Sequence, residues 1–148
     1  MAAGTIPDIP ASTNTPQTNP VYPAGYNPNS PQVCSATYQC RIPGDIWDSP
    51  NGTFASAFDD GPTAVSPWNL PIVLFLRSLI QATPTIVQFL ESNNLSTTHF
   101  MIGINILANP SQFSAACDAG HDIAVHTWTH PYMTTLSNLD ILGQVSRM

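Results

Sequence analysis

Two short stretches of this chain carry the residue types that hold a metal or activate water. Asp59 and Asp60 stand side by side and run into Gly61-Pro62. His126 and His130 stand four apart in His126-Thr-Trp-Thr-His130 and run into Pro131. Two adjacent carboxylates repel, and a cation relieves that repulsion. Two imidazoles and one carboxylate form a common ligand set for a catalytic divalent ion that keeps positions open for water. A second carboxylate outside the set can then take a proton from that water. Asp59 and Asp60 supply one residue for each task. Each stretch also has a plainer reading. Adjacent acids support turns by bonding their own backbone, and spaced histidine pairs arise by coincidence. The zincin pattern His-Glu-x-x-His is absent, because Thr127 stands where its glutamate would be. His99 and His121 lack such a spaced partner and read as structural.

The surrounding elements must bring these stretches together. Gly52-Thr-Phe-Ala-Ser-Ala-Phe58 alternates between turn residues and reads as a strand leading into Asp59. Thr83 as N-cap, Pro84 at the first helical position and apolar residues at 86, 87, 89 and 90 predict a helix over 84–93. Residues 97–102 read as a second strand, and 109–120 as a second helix ended by Gly120. Asp122-Ile-Ala-Val-His126 reads as a third strand. Pro131 disfavours helix at His130, so that histidine belongs to the turn after the strand. Ser137 or Asn138 caps a third helix. Alternating strands and helices predict an α/β fold with parallel strands and helical crossovers. Chemistry in such sheets gathers at the C-terminal ends of the strands, where both stretches fall.

Composition narrows the partners. The 148 residues include three Lys or Arg against nine Asp or Glu, for a net charge of −6. Three basic residues against nine acids are too few to neutralise a run of phosphates, which argues against nucleic acid as a partner. Charged residues make up only 8% of the chain, a pattern that suits a secreted protein. Residues 1–33 are rich in Pro, Thr, Asn and Ser and read as a flexible leader, with the globular part starting near Cys34. Cys34 and Cys40 are spaced to close a small loop by disulfide, and Cys117 on a helix face reads as a buried thiol. Asn51-Gly-Thr53 and Asn94-Leu-Ser96 are glycosylation sequons, meaningful in an exported chain. The first residues show no signal peptide, so an exported chain would begin here at a mature or incomplete N-terminus. No transmembrane segment is expected either, because the apolar stretch 71–80 is too short to span and contains Arg77.

Phe58-Asp-Asp-Gly-Pro-Thr63 and His126-Thr-Trp-Thr-His-Pro131 resemble the first two motifs of the NodB-type polysaccharide deacetylases, carbohydrate esterase family 4. Thr98-His-Phe-Met-Ile-Gly103 fits the strand between them, and residues 120–134 look most like fungal chitin deacetylases. The resemblance covers roughly 52–144. It implies the N-terminal part of an irregular parallel (β/α)7 barrel. It also implies hydrolysis of N-acetyl groups on chitin or another N-acetylglucosamine polymer, in an extracellular or cell-wall setting. By the same resemblance Asp59 corresponds to the general base, and Asp60, His126 and His130 to the ligands of zinc or cobalt. Trp128, Pro131 and Tyr132 are expected to shape the rim or pack the core.

The chain departs from that family in two places. The family's later Arg-Pro-Pro-Tyr segment, late Asp and late Leu-His are not found before Met148, so the domain over 34–148 reads as partial and is expected to be inactive alone. Residues 65–81 form an apolar insert, and 145–148 a tail, that the family pattern lacks. Both begin Val-Ser, which the splice-donor hexamer GTAAGT encodes, and Gln81 is compatible with an acceptor ending in CAG. Removing Val65–Gln81 restores the family spacing. Intron read-through would account for both, the alternative being a real variant loop and a real short product, and other codons at these positions in the gene would overturn read-through. The alternative to an enzyme is a non-catalytic cell-wall polysaccharide binder.

Overall fold

The computed structural model describes residues 8–14, 18–63 and 83–147, so the insert expected at 65–81 lies outside the described residues. These residues form two units. One joins the described residues from Thr53 to His130 with those from Gln144 onward; the other joins the described residues up to Gly52 with Pro131–Gly143.

In the first unit three parallel strands stand in sequence order: β1 (Ala57–Asp59), β2 (Thr98–Met101) and β3 (Asp122–Val125). Phe58 faces His99 across β1 and β2, and Met101 faces Val125 across β2 and β3. The connection from β1 to β2 contains α1 (Thr83–Ser92). That from β2 to β3 contains α2 (Gly103–Ala108) and α3 (Pro110–Asp118). The expected α/β architecture is therefore present, wound as the start of a parallel barrel is wound. β1 is shorter than its alternating sequence predicts. Before Ala57 the strands are linked by side chains instead: the Ser56 and Thr97 hydroxyls lie 3.1 Å apart, and Thr97 Oγ1 donates to the Ser56 carbonyl at 2.7 Å. The helix α2 escapes sequence reading because no side chain caps its start.

The core forms on the helical side of β2. Thr83, Val87 and Leu90 are buried at the i, i+4, i+7 spacing of one face of α1. Val87 packs with Met101 and Ala116, and Ile106, Phe113, Ala119 and Ile123 close around them. Cys117 is a correction to the expected buried thiol: it is exposed. The inward position of α3 is Ala116, and the next residue points about 100° away around the helix. Gly120 ends α3 as expected, at φ +78, with its N–H donated to the Cys117 carbonyl. Replacing Gly120 by alanine should cost about 1 kcal/mol in urea unfolding, because a Cβ disfavours that left-handed conformation.

The structural roles expected of His99 and His121 hold. Both are buried, with ring centroids 5.1 Å apart, and His99 also stacks on Phe58 at 5.7 Å. His121 Nδ1 accepts the Thr97 N–H at 3.3 Å. Burial lowers the pKa of His99 below 6.5, and the facing His121 lowers it further. The fold thus favours neutral His99, while the unfolded chain takes up a proton more readily. Its contribution to stability is present above about pH 6.5 and is lost as the pH falls below that. Urea unfolding at pH 7.5 and 5.5 should show this loss, and His99→Phe should reduce it while keeping the stack on Phe58.

In the second unit Cys34 and Cys40 form the expected disulfide, with Cα atoms 5.0 Å apart. Residues 8–14 and 18–33, the described part of the compositional leader, make specific contacts here. Thr13 bridges Val21, Pro20 is fully buried, and Tyr38 donates its hydroxyl to the Pro20 carbonyl at 3.0 Å. The Ser12 N–H and hydroxyl both donate to the Thr134 carbonyl. Helix α4 (Asn138–Ser146), of which the residues up to Gly143 belong to this unit, starts at the predicted cap: Asp140 N–H donates to Ser137 Oγ, whose hydroxyl donates back to the Asp140 carboxylate. It takes in Val145 and Ser146 of the expected tail. Among the described residues no helix is long and apolar enough to cross a membrane.

Candidate metal centre

The end of the central strand organises the site. Past Met101 the backbone of β2 is free to bond sideways into both neighbouring loops. Ile102 N–H donates to the Gly61 carbonyl at 2.9 Å, which fixes the loop after β1. Gly103 and Ile104 donate their N–H groups to the carbonyls of Thr127 and Trp128, at 3.0 and 3.1 Å. His126 N–H donates to the Met101 carbonyl at 3.1 Å. One short run of backbone therefore sets the two motif loops against each other.

Side chains complete the scaffold. Asn105 Nδ2 donates to the Asp60 carbonyl at 2.6 Å, and Asn109 Nδ2 to the Pro62 carbonyl at 3.1 Å. Thr63 N–H donates to Thr83 Oγ1 at 3.2 Å, and the Gly61–Pro62 peptide is cis. On the other loop Thr127 Oγ1 accepts the His130 N–H at 2.9 Å. Gln144 Oε1 accepts the N–H groups of Trp128 and Thr129 at 3.0 and 2.9 Å. Sequence reasoning missed Asn105, Asn109 and Gln144. The i, i+4 spacing of the two asparagines just before Pro110 was the available signal; a single glutamine gave none.

These supports bring three of the four predicted site residues together. One oxygen of Asp60, Oδ1, lies 3.1 Å from His126 Nε2 and 3.3 Å from His130 Nε2. One donor atom from each residue lies within 4.8 Å of the others. The imidazole centroids are 4.8 Å apart. Ligands about 2.1 Å from a tetrahedral ion lie ~3.4 Å from one another. The donor types and the two spacings to Asp60 therefore suit a small divalent cation. The fourth residue, Asp59, ends β1 beside Asp60 and is exposed.

Energetics separate this cluster from an ordinary surface ion pair. Asp60, Thr127 and His130 all hold positive φ, at +68, +65 and +59. Asp and His tolerate that region, but for β-branched Thr it is a genuine outlier. Such residues cost of order 1–3 kcal/mol each. The side chains of Asp60 and His130 are 66% and 54% exposed, and exposed pairs return only ~0–1 kcal/mol. The exposed pairs therefore do not repay the cost of these backbone conformations. Asn105→Ala should lower unfolding free energy by about 1 kcal/mol through its lost hydrogen bond, and chemical unfolding checks this.

Comparison with known proteins places this geometry in context. The sequence profile described as polysaccharide deacetylase matches residues 48–148. The chain is 36% identical to chitin deacetylase 3 of Cryptococcus neoformans var. neoformans serotype D (strain JEC21), over 98% of this chain and 32% of that protein. It is 31% identical to chitin deacetylase 1 of Cryptococcus neoformans var. grubii serotype A, over 72% of this chain and 19% of that protein. The chain thus spans a third or less of the length of these relatives. Among solved structures, a family 4 carbohydrate esterase from Streptomyces lividans in complex with acetate superimposes with a TM-score of 0.51. That match has 31% identity and covers 67% of this chain and 43% of that one.

Proposed function

This chain belongs to the polysaccharide deacetylase family, and on that premise we propose that it carries the metal-holding and base-bearing part of a site that hydrolyses N-acetyl groups on chitin or a similar N-acetylglucosamine polymer. The single observation that supports the metal assignment is the convergence of Asp60, His126 and His130 on one point. These three side chains would hold zinc or cobalt. Such an ion, when bound, supplies Lewis acidity and lowers the pKa of a bound water. Asp59 stands next to the ligand set but outside it. Its exposed carboxylate is the proton acceptor of this reading, one residue from Asp60 and free to face substrate. The Trp128 backbone is bonded on both sides, and its side chain shapes the rim or packs the core in this reading. The relatives named chitin deacetylases support the choice of polymer. An extracellular or cell-wall setting belongs to the same proposal. The residues Asn51 and Asn94 of the two sequons are exposed, as glycosylation requires.

Two measurements test the reading. Calorimetric titration of the full chain with zinc or cobalt should show one ion per chain, removable by chelator. Acetate release from chitin oligomers, with and without chelator, separates the enzyme from a non-catalytic polysaccharide binder. Chelator-sensitive release supports the deacetylase. Saturable polymer binding by the cobalt-loaded chain with no acetate supports the binder.

A further inference from the structure

The loop between the two histidines depends on one side chain from another element. Residues 127–130 leave regular structure after β3, with Thr127 and His130 in the left-handed region. Their backbone groups need partners, or the strained loop would relax toward an ordinary turn. The carbonyls of Thr127 and Trp128 are met by backbone N–H groups of Gly103 and Ile104, and the His130 N–H by Thr127 Oγ1. Two further amides, of Trp128 and Thr129, both converge on Gln144 Oε1. Gln144 Nε2 donates to Thr129 Oγ1 at 3.0 Å, so both ends of the carboxamide are used. Gln144 lies in α4, sixteen residues beyond Trp128, and is half-buried.

We propose that Gln144 is a positioning residue for the metal centre, holding the 127–130 loop so that His126 and His130 meet Asp60. This rests on the metal reading given above. Gln144 touches neither the donors nor a reacting atom; it acts through the two amides that it accepts. Partners of this kind, one step removed from the ligands, typically change metal affinity 10–100-fold when lost. The chemistry of the contact distinguishes two variants. Gln144→Met keeps length and removes both the acceptor and the donor. Gln144→Glu keeps the acceptor for both amides and loses only the Nε2 donation to Thr129 Oγ1.

The test is cobalt binding to the full chain, followed by its visible absorption, together with hydrogen exchange of the Trp128 and Thr129 amides in metal-free protein. We expect Gln144→Met to weaken cobalt affinity ~10–100-fold, alter the cobalt spectrum and speed exchange at those two amides, while the amides of β2 keep their protection. Gln144→Glu should restore affinity and slow exchange. A Gln144→Met chain with the original affinity and spectrum overturns the positioning role and leaves the metal reading standing. Equal losses in Gln144→Met and Gln144→Glu also overturn it, because acceptor chemistry would then be irrelevant. Failure of the unaltered chain to bind cobalt overturns the metal reading itself, and this role with it.

Discussion

Asp60→Asn should lower zinc or cobalt affinity by more than ~100-fold while leaving the metal-free fold almost unchanged. Its carboxylate is the shared member of the cluster, at 3.1 and 3.3 Å from the two imidazoles. Loss of a direct anionic ligand exceeds the ~10–100-fold that an outer partner costs. Asparagine tolerates the left-handed backbone at this position as aspartate does. The Asp60 side chain is 66% exposed, so the pairs lost in the metal-free protein are worth ~1 kcal/mol or less. Titration calorimetry gives the affinity, and urea unfolding with chelator gives the stability. The ratio of the two effects is the informative quantity. A large stability loss with unchanged affinity would return the cluster to the status of a turn reinforced by ion pairs.

Met101→Ala should do the opposite, costing about 2–5 kcal/mol of stability. Met101 is fully buried at the end of the central strand, packed with Val87 and Ala116. Truncation leaves a cavity that rigid strands on both sides cannot fill, since β2 is hydrogen-bonded to β1 and β3. Domains have only about 5–15 kcal/mol in total, so this is a large share. The metal centre inherits the damage, because the Met101 carbonyl holds the His126 N–H and the next three residues hold both motif loops. Cobalt should therefore recover part of the lost stability in Met101→Ala by binding the folded form. It should recover almost none in Asp60→Asn. Denaturation curves of both variants with and without cobalt distinguish a core defect from a ligand defect.

The contrast between these variants follows the division between what residue order conveys and what packing adds. The candidate residues Asp59, Asp60, His126 and His130 were legible because chemistry restricts such a set to few residue types, and because Gly61, Pro62 and Pro131 punctuate the chain beside them. The parallel α/β order was legible from the alternation of strand and helix periods, and the ends of α1 and α3 from Pro84, Pro110 and Gly120. Capping is local, so neighbouring residues encode it. The brevity of β1, the helix α2 and the exposure of Cys117 were not legible. The exposure of Cys117 depends on which face of α3 meets the core, the end of β1 on bonds to the distant Thr97, and α2 lacks a side-chain cap to announce it.

The same reason separates Asp60, His126 and His130 from the residues that hold them. Residue type and spacing single out His126, His130 and one of Asp59 and Asp60 as able to hold a cation, and the family resemblance picks Asp60. Only tertiary structure brings Asp60 against two histidines 66 and 70 positions further along the chain. It does so through the backbone of residues 102–104, which any sequence would offer, and through the amides of Asn105, Asn109 and Gln144. A carboxamide is common on protein surfaces, and nothing in its type announces a partner. Its direction is decided when the strands pack, because only then do unpaired backbone groups come within its reach.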